Sequence, residues 1–156
     1  MKFSTREDIE APAEYVFAQV TDFASFERKA LRHGAQVTRS DQDQGAPKAG
    51  SEWKIAFKFR GRSRTLEAKL TEITSPVGYH VAGIADGMTI RTGIELVALS
   101  PTRTRIMVGI ELRSKTFTAR LVLESMKLAK AKLNKRFRAR VVEFAEDIED
   151  SYRKGK

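Results

Sequence analysis

The sequence predicts an α+β domain in which a curved antiparallel sheet of six to seven strands is followed by a long C-terminal helix. Residues 52–112 alternate apolar and polar side chains between turns, the period of strands buried on one face. From Thr116 to Arg153 there is no Gly or Pro, and apolar residues recur every three or four positions, the period of an amphipathic helix. A length of 156 residues with 41% hydrophobic content fits a single domain over residues 1–156.

The first third of the chain predicts one strand and two short helices. A strand is expected over residues 2–10, and Pro12 suits the start of a helix that runs to about Val20. Asp22 is placed to cap a second helix that ends at Gly34. Val37 then opens another strand.

The middle of the chain predicts a meander of strands joined by tight turns. Residues 42–51 collect Gly, Pro and polar residues and are expected to form the longest loop, a candidate gate. Asp86-Gly87 between apolar strands indicates a two-residue hairpin turn. The predicted element order is β-α-α-β-β-β-β-β-β-α. The terminal helix, if continuous, is longer than a domain of this size, so it is expected to kink, protrude or meet a partner.

Three segments resemble the START-like superfamily, also called SRPBCC. They are Ile9-Glu10-Ala11-Pro12-Ala13-Glu14-Tyr15-Val16-Phe17, Val20-Thr21-Asp22-Phe23 and Leu70-Thr71-Glu72-Ile73. With the element order, the resemblance spans nearly the whole chain and implies a helix-grip fold, in which the sheet wraps around the C-terminal helix. Relatives use the enclosed cavity for lipids, sterols, polyketides, plant hormones or quinones, and include aromatase and cyclase enzymes and a chaperone activator. The fold leaves the function open.

The alternation places a set of mostly apolar side chains on the inner face, as expected for a hydrophobic ligand site. Tyr79, Thr92 and Ser125 are the polar members that would orient a ligand. The alternative is that these side chains fill the space and leave no cavity. The predicted ligand-binding residues are Phe26, Trp53, Ile55, Phe57, Phe59, Leu66, Leu70, Tyr79, Val81, Ile90, Thr92, Ile94, Ile106, Val108, Ile110, Leu121, Ser125 and Leu128.

Catalytic groups are scarce at these positions. Glu67, Glu95 and Glu111 fall on the opposite face of their strands, His80 is expected on the outer surface, and His33 lies at a predicted helix end. Cysteine is absent, and no metal-ligand spacing or nucleophile motif occurs. The sequence therefore predicts no catalytic residue, metal or cofactor, and favours a carrier or sensor of a small hydrophobic ligand. The alternatives are a cyclase or dehydratase-like enzyme using the same cavity, and an interaction protein that docks on a polypeptide through the basic C-terminal helix.

Positive charge is concentrated in the last helix. The chain has a net charge of +9, and residues 113–140 hold ten Lys or Arg against one acid, Glu124. This is either a solvated face, or a surface for transient contact with an anionic membrane or an acidic protein. Nucleic acid is disfavoured because no exposed aromatics alternate with the cations. The predicted surface consists of Lys127, Lys130, Lys132, Lys135, Arg136 and Arg138.

The cellular location and the oligomeric state are weakly constrained by the sequence. The N-terminus lacks the continuous apolar segment of a secretory signal, and the longest charge-free run, residues 73–85, is too short to span a bilayer. A cytoplasmic location is expected. The sequence leaves open whether the chain is a monomer or a homodimer.

Overall fold

The computed structural model describes residues 1–41, 43–59 and 61–155, in which seven strands and four helices are formed. The order confirms the predicted α+β architecture, with two short helices after the first strand and a helical C-terminus. The elements are β1 (Lys2–Ile9), α1 (Ala13–Val20), α2 (Phe23–Arg32), β2 (Gln36–Arg39), β3 (Glu52–Phe59), β4 (Arg62–Thr74), β5 (Gly78–Ala85), β6 (Met88–Ser100), β7 (Arg103–Ser114), α3 (Phe117–Leu128) and α4 (Lys130–Arg153).

The strands form one antiparallel sheet in the order β1-β7-β6-β5-β4-β3-β2. Strands β2 to β7 therefore follow one another as a meander, and β1 closes the sheet by pairing with β7, where Phe3 lies opposite Ile110. Because side chains alternate along each strand, the register gives the sheet one apolar face towards α4 and one charged face away from it. We call these the inner face and the outer face.

Local sequence explains the tight connections. The Asp22 Oδ1 atom accepts a hydrogen bond from the Ser25 backbone N–H at 3.2 Å and caps α2, as predicted. Asp86 and Gly87 both have positive φ, 50° and 74°, which is the conformation of a two-residue hairpin turn between β5 and β6. The predicted turn at residues 60–62 lies partly outside the described residues, because Arg60 is among those not described.

The C-terminal helical region is two helices. The predicted long helical C-terminus is formed, and of the expected outcomes the kink is found: α3 ends at Leu128, and α4 begins after Ala129, whose φ and ψ are −108° and 17°. The Ala129 N–H bonds the Met126 carbonyl at 3.0 Å, three residues back. Helix α4 packs mainly along β1, whereas α3 packs mainly against β7.

The hydrophobic core lies between the inner face and the helices, towards the end of the sheet where β1 leads into α1. Ile9, Ile106, Val16 and Val20 are fully buried there. Helix α4 contributes Ala145 and Ile148 to the same cluster. This end of the sheet is therefore closed by α1, α2 and the second half of α4.

Candidate functional site

The inner face carries the strand residues that the alternation predicted. Phe3, Ile110, Thr92 and Val81 lie side by side across four strands, and one row further on Val108, Ile94 and Tyr79 do the same. The outer face holds Glu67, Glu95 and Glu111, as predicted. His80 is also on the outer face, with Nε2 4.0 Å from the Glu95 carboxylate, and His33 caps the C-terminus of α2.

At its closed end, the inner face is filled by aromatic side chains. The Phe23 ring lies 5.5 Å from Trp53 and 5.2 Å from Tyr79 between ring centroids. Phe26 reaches α4, where its centroid is 6.1 Å from that of Phe144. Leu70 is fully buried beside them. Of the predicted site residues, Trp53, Leu70 and Tyr79 therefore belong to the core of the fold, and Phe26 packs on α4 beside them.

Towards the other end, the inner face is only partly covered. Ile55, Phe57, Leu66, Ile90 and Ile94 are half-buried, although all are large and apolar. Helices α3 and α4 pack mainly on β7 and β1, and Phe23 of α2 covers Trp53 on β3 and Tyr79 on β5. We call the surface formed by these five side chains the apolar trough.

Phe59, at the rim of the apolar trough on β3, is 53% exposed. In the sheet register, Ile55 lies opposite Leu66, and Ile94 lies opposite Tyr79. The trough is thus continuous with the aromatic cluster at the closed end. An apolar concave surface with one closed end and one open end is the usual form of a site for a small hydrophobic molecule.

Two hydroxyl groups adjoin the apolar trough without hydrogen-bond partners among the described residues, those of Tyr79 and Thr92. In that part of the chain, the only fully buried side-chain N or O atoms lacking a hydrogen bond are Arg39 Nε and Asp41 Oδ1, which form an ion pair at 3.0 Å. The Tyr79 oxygen therefore keeps access to the space around it. Burial raises the pKa of Tyr79 to about 12, so its hydroxyl stays protonated at neutral pH.

Three helical residues predicted to line the site do not face the sheet. Helix α3 buries Ala119 and Leu123 against β7, and Leu121, Ser125 and Leu128 lie on its opposite, exposed side. The prediction was wrong because it extended one helical period through Ala129. Because the helix breaks there, the spacing of the residues that face inward in α4 cannot be continued back into α3.

Sequence reasoning also missed three charged residues near the inner face. Glu27 on α2 accepts a hydrogen bond from Trp53 Nε1 at 3.2 Å. Arg64 follows the inward alternation of β4, pairs with Asp86, and lies with its guanidinium 5.7 Å from the Phe59 ring centroid. Glu7 lies on the inner face opposite Ile106. The two-residue period running back from Leu70 through Leu66 would have found Arg64, whereas nothing in the sequence pairs Glu27 with Trp53.

The loop between β2 and β3 is tied to the sheet at both ends. Ser51 Oγ donates to Asp41 Oδ2 at 2.6 Å, and this hydrogen bond is the main reason that the pKa of Asp41 lies below its ordinary value. Gly50 N–H bonds the Leu70 carbonyl at 2.7 Å. Gating by this loop stays a prediction, and Gln42 lies outside the described residues.

The outer face contains a groove of about 1330 Å³, whose lining includes Gly93 and Gly109. Charged side chains of its lining form ion pairs, such as Lys2 with Glu111 at 3.4 Å. We favour the inner trough as the hydrophobic site because its lining is apolar. Of the six predicted surface cations, all of which are exposed on α3 and α4, Arg138 also lines the outer groove.

Residues 1–41, 43–59 and 61–155 meet neither the requirements of a metal site nor those of a membrane-spanning helix. No group of three or more His, Asp or Glu side chains is placed to hold a metal ion there. No helix in that part of the chain is long and apolar enough to cross a bilayer.

The sheet order, the two short helices after β1 and the helical C-terminus packed on the inner face together form the helix-grip fold that the sequence resemblance implied. Comparison with solved structures agrees. The chain is similar to norcoclaurine synthase from Thalictrum flavum (13% identity, covering 100% of this chain and 88% of that chain, TM-score 0.65). It is also similar to an aromatase/cyclase from a Streptomyces species (12% identity, 96% and 93% covered, TM-score 0.64).

A START superfamily protein from Mycobacterium smegmatis is similar over 86% of this chain and 95% of that chain, at 17% identity and a TM-score of 0.54. No protein-family model and no curated protein matches the sequence. The structural similarity establishes the fold. At identities this low, the ligand and the reaction have to be argued from the residues of this chain.

Proposed function

We propose that this protein binds a small hydrophobic molecule, of the lipid, quinone or polyketide type, as a carrier or sensor. The observation that supports this most directly is the apolar trough, whose five large side chains stay half-buried beside a closed aromatic cluster. Covering about 200 Å² of such surface would contribute about 5 kcal/mol at 25 cal/mol per Å². Part of that gain is lost to the entropy of association.

The unpaired hydroxyls of Tyr79 and Thr92 would orient the ligand. Both lie on the inner face next to Ile94 or Ile110, so a carbonyl or hydroxyl of the ligand would find a partner there while its apolar part lies on the trough. Because Tyr79 is protonated at neutral pH, it can donate a hydrogen bond to a carbonyl oxygen. A neutral donor in an apolar setting favours a neutral, weakly polar ligand over an ion.

Native mass spectrometry of freshly purified protein, followed by organic extraction, tests the proposal. A hydrophobic molecule bound at one per chain supports a carrier or sensor and gives its chemical class. An empty chain that also fails to bind the neutral fluorescent probe Nile red would contradict the proposal.

Replacing Leu66 with Asp is expected to weaken binding of that probe by about 30-fold, because an unpaired carboxylate would be placed within the apolar trough. Fluorescence titration measures the dissociation constant. Thr65→Asp is the matched control, since Thr65 is exposed on the outer face of the same strand and the added charge is the same. Equal affinities of the two variants, with circular dichroism showing both folded, would exclude the trough as the site.

A cyclase or dehydratase-like enzyme is the second candidate, and the observation that favours it is the accessible Tyr79 hydroxyl. The two catalytic relatives described above include a norcoclaurine synthase in complex with dopamine and hydroxybenzaldehyde and an aromatase/cyclase. An enzyme of this type needs a titratable group in contact with the substrate, and Tyr79 is the side chain of this chain best placed to supply one.

Tyr79→Phe separates the two candidates. For a carrier, the affinity for the extracted ligand is expected to stay within a few-fold, because burial of apolar surface dominates binding. Isothermal titration with the ligand measures this affinity. If some substrate of the same chemical class is turned over, and the variant loses about 10³-fold in kcat, the enzyme replaces the carrier as the function.

A further inference from the structure

Helix α3 is apolar on two sides, and only one of them is buried. Ala119 and Leu123 pack against β7. On the opposite side, Phe117 is 75% exposed, Leu121 is 55% exposed and Leu128 is 92% exposed. Helical spacing places these three on one stripe. Exposed apolar side chains are common singly, but a stripe of three on one helix face indicates a surface that something else covers.

Cations surround the end of that stripe. Every residue from 127 to 132 is exposed, and this segment, which we call the elbow, contains Lys127, Lys130 and Lys132. Lys127 Nζ is 3.2 Å from Glu124 Oε1, the one acid between residues 113 and 140. The elbow therefore combines an almost fully exposed leucine with a local excess of positive charge.

The position of these charges is unfavourable within the chain itself. The first turn of α4 has no acidic residue, and its N-terminus has no side-chain cap. Lysines there lie at the positive end of the helix dipole, which favours acids. The acids of α4 are instead at its far end, from Glu143 onward. A negatively charged partner outside the chain would compensate both the lysines and the free N–H groups.

We propose that the elbow docks on the surface of an anionic phospholipid bilayer. Leu128, Leu121 and Phe117 would enter the boundary between headgroups and acyl chains, and the lysines would contact the headgroups, which is the usual arrangement of interfacial helices. A nucleic acid would use the cations but not the aliphatic side chains. A second copy of the chain would bring like charges together. A bilayer of anionic lipid supplies both features along its whole surface, whereas an acidic polypeptide would need matching apolar side chains in addition to its charge. The inference does not depend on the ligand proposed for the apolar trough.

Vesicle co-sedimentation at low salt tests the electrostatic part, with phosphatidylcholine alone or mixed with phosphatidylserine. Wild-type protein is expected to bind only the mixed vesicles. Each cation near the surface contributes about fivefold in affinity, so replacing Lys127, Lys130 and Lys132 together with Gln is expected to weaken binding by about a hundredfold. The matched control replaces Lys54, Lys58 and Lys69 with Gln, which removes the same charge from exposed positions on β3 and β4.

Leu128→Ser tests the apolar part against Leu99→Ser, a second exposed leucine, on β6. Only the first is expected to lower vesicle binding. Leu128→Trp tests insertion into the bilayer directly. Brominated lipids are expected to quench the fluorescence of the introduced tryptophan but not that of the buried Trp53. Equal loss in the two triple variants, no effect of Leu128→Ser, or tighter binding to duplex DNA than to the mixed vesicles would each overturn the proposal.

Discussion

Replacing Gly78 with Ala is expected to remove at least about 4 kcal/mol from the free energy of unfolding, enough to unfold many domains. Gly78 has a φ of 151°, a conformation that side chains other than glycine rarely adopt. A Cβ atom there would lie 1.9 Å from the Ile94 carbonyl oxygen and 3.0 Å from its carbon. Both atoms belong to the backbone of the paired strand β6, so neither can move without breaking the register between β5 and β6. Urea denaturation followed by circular dichroism measures the loss.

Gly109→Ala is the matched control for that experiment. Gly109 lies in β7, and a Cβ atom there would meet only the Phe3 carbonyl oxygen, at 3.9 Å, an ordinary contact distance. The free energy of unfolding is expected to change by less than about 1 kcal/mol in either direction. A comparable loss in both variants would show that the steric explanation for Gly78 is wrong.

Leu70→Ala is expected to cost about 3–4 kcal/mol in the free energy of unfolding, because it leaves a cavity in a fully packed region. Leu70 is fully buried, lies opposite Val81 and bonds its N–H to the Ser51 carbonyl at 2.9 Å. Leu66→Ala, four residues earlier on the same strand and the same face, is expected to cost only about 1 kcal/mol, since Leu66 is half-buried in the apolar trough.

Chemical denaturation of the two variants side by side measures the difference between the closed and the open end of the inner face. Losses of equal size would mean that Leu66 is packed as tightly as Leu70. The five trough side chains would then fill the interior of the domain, and the ligand proposal would lose its main support.

The sheet could be predicted from the sequence because its patterns are local. The apolar-polar alternation from Trp53 to Phe59 determines which face of the sheet each side chain lies on. A shift of the strand by one residue would turn its lysines into the core. The Asp86-Gly87 turn likewise depends on two adjacent residues and their backbone conformation. The inner-face strand residues were therefore identified correctly.

The helices could not be predicted as completely, because their burial depends on distant strands. The three- and four-residue spacing of the helix residues is interrupted only by the five-residue step from Leu128 to Leu133, and no Gly or Pro marks the break. Helix α3 packs on β7 and α4 packs on β1, and this packing decides which residues of each helix face the sheet. For that reason Leu121, Ser125 and Leu128 were assigned to the wrong side of α3.

The candidate site was predicted in its lining but not in its shape. Alternation identifies which side chains face inward, yet it does not show that Trp53 and Tyr79 are covered by Phe23 while Ile55 and Leu66 remain half-exposed. That difference depends on where α2 and α4 lie. The hydrogen bond between Glu27 and Trp53 joins residues of two elements whose approach is decided by the whole fold.

The pairing of β1 with β7 governs when the chain can fold during its synthesis. Lys2 pairs with Glu111, and Ile9 with Thr104, so β1 has no strand to pair with until β7 has been made. Ile148, which packs in the same core, is made later still. Closing so long a loop carries a large entropic cost and slows folding. The apolar residues of β1 therefore stay without their native cover while the strands between are made, which lengthens the time in which they can aggregate.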